Sequence, residues 1–594
     1  MNTKDMNIPN PQEIEKEISD FLTKKYGNRV KVVSPIVMPD EEASGDEAEG
    51  GSYEHKVDFS LRPEELIAHL DQYIIRQDQA KRILSTKICT HFNRIQHQES
   101  SGNKDEFEGR IKNNIIMIGP TGVGKTYMIK LIAKKIGVPF VKADATKFSE
   151  TGYVGGDVED MVRELVRESD NDIEMAQYGI VYIDEIDKIA GSKQHYGADV
   201  SRAGVQRALL KPMEETDVEM KAQNDPISMI QEVEQFRKTG KREKRSINTR
   251  NILFIVSGAF SELPEIVRER TTDSSIGFGA KINENRYEEA TLQQVKAEDL
   301  VEYGFESEFI GRLPVRSVFE RLSKQDLFDI LKNPNNPIIL SKRLDFATYG
   351  IDVRFSDDAL ELLAQRAYEE NTGARGLVSV IEQALIPFET RLPSMNVRRF
   401  PVTAETIENP GKTIEKLDPG HDKTKREEAF ALIQEQNRSY LIDYLTNNRK
   451  MLSENYGLPL SQYRIERIAD FYWANVVEIG TAISRIKNHY DIIKKIEINF
   501  YNRHDLNLVL EEDAIDFIAE KMATLSLNID QIYRKISDDF EYGLKLIRDK
   551  TGKNRFFISK YALEQPEAFL ENLIKTEFAR HNITPDFDED PVRR

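Results

Sequence analysis

The segment Gly-Pro-Thr-Gly-Val-Gly-Lys-Thr at residues 119–126 constrains the fold more than any other feature of the chain. It follows an apolar run at 115–118 and precedes a helical pattern at 127–133. A glycine-rich turn between a strand and a helix is typical of phosphate-binding loops, where backbone N–H groups and the helix N-terminus face the phosphates. An ordinary glycine turn is the alternative. The nucleotide-binding residues predicted from the loop are Gly119, Pro120, Thr121, Gly122, Val123, Gly124, Lys125 and Thr126.

Two acids that would complete such a site follow a second apolar run. Residues 180–183 are strand-forming and lead directly into Asp184 and Glu185. Because the carboxyl ends of parallel strands meet at one edge of a sheet, both acids should lie beside the loop. We expect Lys125 to reach the β- and γ-phosphates of ATP, and Thr126 and Asp184 to hold Mg²⁺. Glu185 would then polarise the attacking water.

Composition limits the classes of partner. The 594-residue chain has a formal net charge of −18 and a pI near 5.3. Such acidity, without a Lys/Arg-rich arm, disfavours nucleic acid as the main partner. No apolar run approaches a membrane span and the N-terminus does not read as a signal peptide, so we expect a cytoplasmic protein with no membrane partner. Since Cys89 is the only cysteine, the chain can form no internal disulfide and no multi-cysteine zinc site.

Helical patterns alternate with strand-like apolar runs between about residues 61 and 330. This alternation predicts an α/β fold, a parallel sheet with helices on both faces. The predicted core strands span 115–118, 138–142, 180–184 and 252–256. The predicted divisions are a docking element at 1–38, an acidic flexible linker at 39–60, a large ATPase domain at 61–318, a small mainly helical domain at 319–400 and a mostly helical extension at 401–594.

From about residue 61 to 395 the order of motifs resembles the ClpX family of AAA+ unfoldases, within the Clp/Hsp100 group. The resemblance implies an AAA+ P-loop ATPase with a separate small domain. Residues 66–77 are similar to the family's adenine-binding segment, which makes Ile74 and Ile75 nucleotide-binding candidates beside Tyr73; an ordinary core contact is the alternative. Arg76 departs from the family, which usually has glycine there, and this leaves the shape of the loop open.

Further motifs of the family concern a central pore. Gly152–Gly155 matches the family's pore loop, in which Tyr153 and Val154 would grip polypeptide without reading its sequence. Residues 191–204 occupy the position of the second pore loop. The basic stretch at 235–245 replaces the family's short entrance motif, and a channel-mouth segment and a solvated surface loop are equally compatible interpretations.

Three residues match the positions of the family's two nucleotide sensors and its arginine finger. Ser257 follows the last predicted strand, at the place of the first sensor. Arg312, in Glu-Phe-Ile-Gly-Arg-Leu-Pro, is the candidate arginine finger, and Arg375, in Thr-Gly-Ala-Arg-Gly-Leu, is the candidate second sensor. Both arginines join Glu185 as catalytic candidates. A finger that completes a neighbour's ATP site implies a ring, the homo-hexamer of the family.

The tripeptide Ile276, Gly277 and Phe278 resembles the loop with which the family docks onto the barrel-shaped ClpP peptidase. Six copies of a small apolar plug would gain strength by avidity. A loop that tucks Phe278 into its own core is the alternative.

Both ends of the chain depart from the family. The family's zinc-binding N-terminal domain has four cysteines that this chain lacks, so no zinc is expected and residues 1–38 are the candidate replacement. Residues 401–594 are no part of an ordinary ClpX. Within them, 508–519 faintly echoes 353–364, which leaves open a degenerate second copy of the small domain. This stretch carries no Gly-Ala-Arg sensor, so a second ATP site is not expected.

The resulting hypothesis is an ATP-dependent protein unfoldase and translocase without peptidase activity of its own. It would thread unfolded or tagged proteins through a ring and deliver them to a ClpP-type peptidase. A stand-alone remodelling chaperone is the first alternative and a nucleic-acid motor the second. The pore loop and the docking tripeptide favour the unfoldase. The HslU-type unfoldase fits less well, because it lacks the Ile-Gly-Phe loop.

Overall fold

In the computed structural model, the strands of the described residues up to 318 are β1 (Ile115–Ile118), β2 (Phe140–Asp144), β3 (Ile180–Asp184), β4 (Asp217–Glu219), β5 (Ser246–Asn248), β6 (Leu253–Gly258) and β7 (Val315–Val318). Five of them form one sheet in the order β2-β3-β6-β1-β7, and every neighbouring pair is parallel. β4 and β5 pair antiparallel. The predicted α/β fold class is confirmed.

The structure describes most of the chain beyond the N-terminal segment. The described residues are 59, 61–101, 112–148, 156–191, 200–220, 246–272, 291–417, 423–525 and 528–580. The N-terminal docking element, the pore-loop residues Tyr153 and Val154, the basic stretch and the Ile276–Phe278 tripeptide all lie outside these ranges.

The helices that accompany the sheet in the described ranges are α1 (Pro63–Asp71), α2 (Asp78–Ser101), α3 (Lys125–Ile136), α4 (Asp160–Glu168), α5 (Ile173–Ala176), α6 (Val200–Met213), α7 (Leu263–Thr272), α8 (Ala297–Tyr303) and α9 (Ser307–Gly311). The side chains of β1 alternate between two apolar cores. Ile115 and Met117 belong to one core, and Ile116 and Ile118 to the other. Because both faces are covered, the strand reads as a continuous apolar run.

Two predicted strand limits need correction. β2 begins at Phe140 rather than at 138, because the N–H of Val138 donates to the carbonyl of Ala133 (3.1 Å) and so completes the end of α3. Gly137, with φ +83°, makes this helix ending without steric cost. β6 spans Leu253–Gly258 rather than 252–256.

A smaller, mainly helical unit follows β7. Its elements are α10 (Lys324–Lys332), α11 (Pro337–Ala347), β8 (Asp352–Phe355), α12 (Asp357–Glu369), α13 (Ala374–Arg391), β9 (Arg399–Val402), α14 (Ala404–Glu408) and α15 (Pro410–Lys416). β8 and β9 are parallel and form a two-stranded sheet.

The C-terminal extension is mostly helical: α16 (Lys423–Asn447), α17 (Arg449–Tyr456), α18 (Gln462–Asn475), α19 (Ile479–His504), β10 (Asn507–Leu510), α20 (Glu512–Leu525), α21 (Ile529–Thr551), β11 (Arg555–Ile558), α22 (Lys560–Glu564) and α23 (Pro566–Arg580). It packs on the small domain, where Leu340 and Leu441 share one apolar cluster. The guanidinium carbons of Arg343 and Arg354 lie 4.1 and 3.9 Å from the ring centroid of Trp473. Both guanidinium groups stack on the same indole, and these cation–π contacts stabilise the packing of the extension on the small domain.

No helix in the described part of the chain combines the length and apolar character that a membrane span needs.

Candidate nucleotide-binding site

A cavity of about 400 Å³ lies where the phosphate loop, the carboxyl ends of β3 and β6 and the small domain meet. The predicted residues that line it are Ile74, Ile75, Thr121, Gly122, Val123, Gly124, Lys125, Thr126, Asp184, Glu185 and Arg375. Tyr73 lines it too. Gly119, Pro120, Ser257 and Arg312 do not, although the first three lie next to residues that do.

The phosphate loop requires a glycine at position 122, both for its backbone conformation and for lack of space. Gly122 has φ +75°, and a Cβ there would lie 2.1 Å from the carbonyl oxygen of Thr372. The carbonyl of Gly122 accepts a hydrogen bond from the N–H of Ala374 at 2.8 Å. The loop therefore touches the start of α13 directly, one residue before Arg375. This contact joins the phosphate loop to the small domain.

Lys125 is buried, with 9% of its surface exposed. Its ammonium donates to the carbonyl oxygens of Gly119 and Pro120, at 2.6 and 2.7 Å. Burial lowers the pKa of Lys125 to about 8, although the nearby carboxylates of Asp184 and Asp187 favour the charged form. The positive charge of Lys125, which would pair with a phosphate, thus lies in a poorly hydrated environment, where its electrostatic effect is strong.

ATP binding is expected to weaken above pH 8, because the free protein then loses the proton of Lys125 while bound phosphates require it. Affinity should be full below pH 8 and fall by up to about tenfold per pH unit above it. A fluorescent ATP analogue titrated between pH 7 and 9.5 measures this change. Lys125→Arg is the matched control, since a guanidinium stays charged throughout and its profile should be flat. A flat profile for the unaltered protein would contradict the prediction.

Asp184 lies in a dense hydrogen-bond network at the end of β3. The hydroxyl of Ser257 donates to its Oδ1 at 2.7 Å, and the ammonium of Lys142 lies 3.0 Å from its Oδ2. Burial opposes ionisation of Asp184, but these two donors hold its pKa below the usual range. Thr126 Oγ1 lies 3.5 Å from Oδ2 of Asp184. An ionised carboxylate beside a hydroxyl is an oxygen donor set that suits Mg²⁺, which also keeps water and phosphate oxygens as ligands.

Glu185 is exposed and lines the same cavity. Its φ of +57° is left-handed, which is uncommon for a residue other than glycine, asparagine or aspartate. Strain of this kind clusters at functional sites, where the surrounding structure holds it in place. Both acids border the cavity, but Asp184 is also held by hydrogen bonds from neighbouring strands, whereas Glu185 is exposed.

The departure at Arg76 does not alter the loop shape that glycine would favour. Arg76 has φ +60° and Gln77 has φ +64°, both left-handed. The guanidinium of Arg76 pairs with Glu320 at 2.7 Å and with Asp326 at 3.0 Å. These contacts offset the backbone strain, and they tie residues 66–77 to the connection after β7 through Glu320 and to α10 through Asp326.

The two predicted arginines lie in different places. Arg375 borders the cavity at the start of α13. Arg312 follows α9, where its carbonyl accepts a hydrogen bond from Asn114, the residue before β1. The phosphate loop leaves the other end of β1, four residues and about 13 Å away. The guanidinium of Arg312 pairs with Glu214 at 2.6 Å and is half-exposed.

The sequence alone did not identify three polar residues of the site. Tyr182 places its hydroxyl 2.6 Å from Ser257 Oγ and 3.1 Å from Thr126 Oγ1, and burial raises its pKa to about 12, so it stays protonated. Lys142 holds Asp184, and Asp187 borders the cavity. A periodic signal existed for Tyr182 alone, because it lies two residues before Asp184 and therefore on the same face of β3. Lys142 is brought to Asp184 by the pairing of β2 with β3.

The chain matches known proteins along most of the part that forms this site. A family profile described as the AAA domain (Cdc48 subfamily) matches residues 110–316, and one described as the C-terminal, D2-small domain of ClpB protein matches residues 322–388. The ATP-dependent Clp protease ATP-binding subunit ClpX of Treponema denticola is 40% identical over 341 residues, which cover 57% of this chain and 79% of that protein. The chain belongs to the ClpX family.

The ClpX of Borrelia duttonii is 39% identical over 350 residues, covering 58% of this chain and 78% of that protein. The resemblance predicted from the motifs is therefore confirmed. As a ClpX-family AAA+ protein the chain is an ATP-binding ATPase. The second family profile ends at residue 388, so the extension lies beyond both profile matches.

Proposed function

We propose that the chain is the motor subunit of a two-component protease. It uses ATP hydrolysis to unfold tagged or unfolded proteins, threads them through the pore of a homo-hexameric ring and delivers them to a ClpP-type peptidase in the cytoplasm. The observation that carries this proposal is the likeness to ClpX proteins over 341 residues, together with a cavity that holds the expected phosphate-loop and acidic side chains.

The position of Arg312 supports the ring. Its backbone is bonded to the residue before β1, whereas the phosphate loop follows β1. A finger at the opposite edge of the sheet from its own phosphate loop can act only on the ATP of another subunit. Closed symmetry then supplies every site with one finger from its neighbour.

The proposed roles follow the geometry of the cavity. Lys125 neutralises phosphate charge, Thr126 and Asp184 hold Mg²⁺, Glu185 polarises water and Arg375 reads the nucleotide from the small domain. Ser257 acts as a sensor through its hydrogen bond to Asp184. The remaining loop residues and the pair Ile74 and Ile75 shape the pocket for the phosphates and the purine.

The proposed domains are those predicted above, with a large domain to residue 318, a small domain to 400 and an extension from 401. Tyr153 and Val154 are the proposed pore residues. The tripeptide Ile276–Phe278 is the proposed contact with the peptidase. Each of these assignments rests on the order of the motifs in the sequence and on the family to which the chain belongs.

The proposal predicts a complex with the ClpP-type peptidase of the same organism. Mass photometry with ATP and Mg²⁺ should show a hexamer that gains the mass of the peptidase, and a labelled stable substrate should be degraded. Phe278→Ala should keep its ATPase activity and lose at least about tenfold in affinity for the peptidase. Each of the six subunits would lose one apolar contact, and avidity multiplies these losses.

A hexamer that never binds the peptidase would contradict this proposal and favour a stand-alone remodelling chaperone. Retained binding by Phe278→Ala would contradict the docking assignment alone. Ile252→Val, a conservative change in a buried residue next to β6, controls for general effects of mutation, and its complex should match the unaltered protein.

A further inference from the structure

Residues 507–580 repeat the architecture of the small domain. In both places a four-residue strand, two helices, a second parallel strand and two more helices follow in the same order. The registers also correspond, because Asp352 pairs with Arg399 in one sheet and Asn507 pairs with Arg555 in the other. We call residues 507–580 the second copy.

The same hydrogen bonds close both units. The N–H of Ala404 donates to Asp358 and the N–H of Lys560 donates to Asp513, each at 3.0 Å. The N–H that follows each first strand donates to the last residue of the second strand, at 3.0 Å in the small domain and 2.9 Å in the second copy. Matching of strands, register and these bonds establishes an internal duplication.

The second copy does not repeat the nucleotide contacts. Arg375 is the second residue of α13, whereas the second residue of the corresponding α21 is Asp530. None of the described residues of the second copy, 507–525 and 528–580, borders the nucleotide cavity. An acid in place of the arginine would repel phosphates, so the second copy must serve some purpose other than ATP binding.

One face of each two-stranded sheet is buried against its own helices. The residues of that face are Val353, Phe355, Phe400 and Val402 in the small domain and Leu508, Leu510, Phe556 and Ile558 in the second copy, and none is more than 4% exposed. The two units differ on the opposite face. It is formed by Asp352, Arg354, Arg399 and Pro401 in the first case and by Asn507, Val509, Arg555 and Phe557 in the second.

In the small domain, α16 covers this opposite face. Phe430, which is 1% exposed, lies 6.0 Å from the guanidinium carbon of Arg354 and 5.8 Å from that of Arg399. Glu427, one helical turn before Phe430, pairs with Arg399 at 3.4 Å. Pro401 is buried. The chain thus shows how a helix with an acid and a phenylalanine one turn apart seats on this sheet.

In the second copy the corresponding face is open. Phe557, at the position of the buried Pro401, is 51% exposed. Arg555, at the position of Arg399, is exposed and makes no ion pair with the described residues; its guanidinium carbon lies 5.1 Å from the ring centroid of Phe557. Val509 is half-buried. Arg555 offers the ion pair that Glu427 makes with Arg399. Val509 and Phe557, at the positions of Arg354 and Pro401, offer an apolar surface beside it.

We propose that the open face, formed by Asn507, Val509, Arg555 and Phe557, is a docking site for an amphipathic helix of a partner protein. The partner helix carries a phenylalanine or a large aliphatic residue and, three residues before it, a glutamate. The apolar side chain covers Phe557 and Val509, and the glutamate pairs with Arg555. Such a site makes the extension a recruiting element of the motor, independent of nucleotide binding.

The test uses the full-length protein and a fluorescein-labelled synthetic peptide with the sequence of residues 423–447. We expect saturable binding by fluorescence anisotropy, weakened at least about tenfold by Phe557→Ala. Tyr542→Ala is the matched control, since it removes an aromatic side chain that is 83% exposed on α21. Its binding should equal that of the unaltered protein. An absence of saturable binding, or equal loss in both variants, overturns the proposal.

A charge exchange tests the orientation of the helix. Arg555→Glu should weaken binding of the peptide several-fold, and a peptide carrying Glu427→Arg should bind this variant better than the original peptide does. If the reversed peptide shows no such gain, an acidic partner helix is ruled out. Unchanged ATPase activity shows that each variant is folded.

A photoreactive p-benzoylphenylalanine in place of Phe557 distinguishes the other occupants. We expect irradiation of the purified protein to give a crosslinked product only when the peptide is present. Crosslinks within the chain, or between two copies of it, in the absence of peptide would show that the chain covers its own open face and would overturn the assignment to a partner protein.

Discussion

Replacing Glu185 with glutamine is expected to leave ATP binding intact and to slow hydrolysis by about a hundredfold or more. An amide has nearly the same size and can still accept and donate hydrogen bonds, but it cannot polarise water as a carboxylate does. Glu185 is exposed and lines the cavity. Its bond to Asp184 comes from its backbone N–H, which donates to Oδ1 at 3.1 Å and is kept by the substitution, so the Mg²⁺ site should survive the change. Steady-state phosphate release and equilibrium binding of a fluorescent ATP analogue measure the two effects separately.

Glu174→Gln is the matched control, because it makes the same chemical change on an exposed residue of α5 outside the cavity. Its hydrolysis rate should equal that of the unaltered protein. Hydrolysis by Glu185→Gln within tenfold of the unaltered rate would show that another group prepares the water. A loss of ATP binding would instead point to a structural role for the left-handed turn at this residue.

The local parts of the site were predictable because each is encoded by contiguous residues. A phosphate loop needs a strand, glycines and a helix in direct succession, and residues 115–136 supply all three. Asp184 and Glu185 end a strand, and parallel order brings that end to the loop. Such arguments require only the chain direction of neighbouring strands.

The network around Asp184 was not predictable in the same way. Ser257 was placed near the site by its position after a strand, but its bond to Asp184 depends on the order of β3 and β6 within the sheet. Lys142 reaches Asp184 from β2 on the other side of β3. Strand order and register are tertiary properties, and no local pattern in a single sequence specifies them.

Arg76 shows a different limit. Where a sequence pattern has glycine, an arginine could either change the backbone conformation or adopt the same left-handed conformation at a cost in strain energy. The sequence does not distinguish these two cases. Here two carboxylates, from Glu320 and Asp326, stabilise the left-handed conformation. These partners lie about 250 residues away along the chain. Only the folded structure therefore shows that ion pairs offset the backbone strain at Arg76.

The extension is also linked to the nucleotide site. Asn335, at the start of the small domain, donates to the carbonyl of Gln72 and to the hydroxyl of Tyr444 on α16. Gln72 donates to the sulfur of Met451 on α17. Gln72 directly precedes Tyr73, which borders the cavity. The extension thus contacts both the segment that leads into Tyr73 and the start of the small domain.

Replacing Arg312 with alanine is expected to reduce ATP hydrolysis by on the order of a thousandfold while ATP binding persists. Its backbone lies at the end of β1 remote from the phosphate loop. In the proposed ring the guanidinium would therefore stabilise transition-state charge on a neighbour's ATP. Lys125→Ala should fail to bind ATP in its own site yet keep an intact finger. Rings mixed from the two variants should recover part of the activity, because some Arg312→Ala sites then receive a finger from a Lys125→Ala subunit.

Glu214→Ala separates this catalytic role from a structural one. It removes the ion pair of Arg312 but leaves the arginine itself, so hydrolysis should stay within a few-fold of the unaltered rate; the pair is half-exposed and contributes at most about 1 kcal/mol. If Glu214→Ala were as inactive as Arg312→Ala, the pair would matter for folding rather than for turnover. If mixed rings gained nothing over either variant alone, the arginine would act within its own subunit, and the requirement for a ring would lose its physical basis.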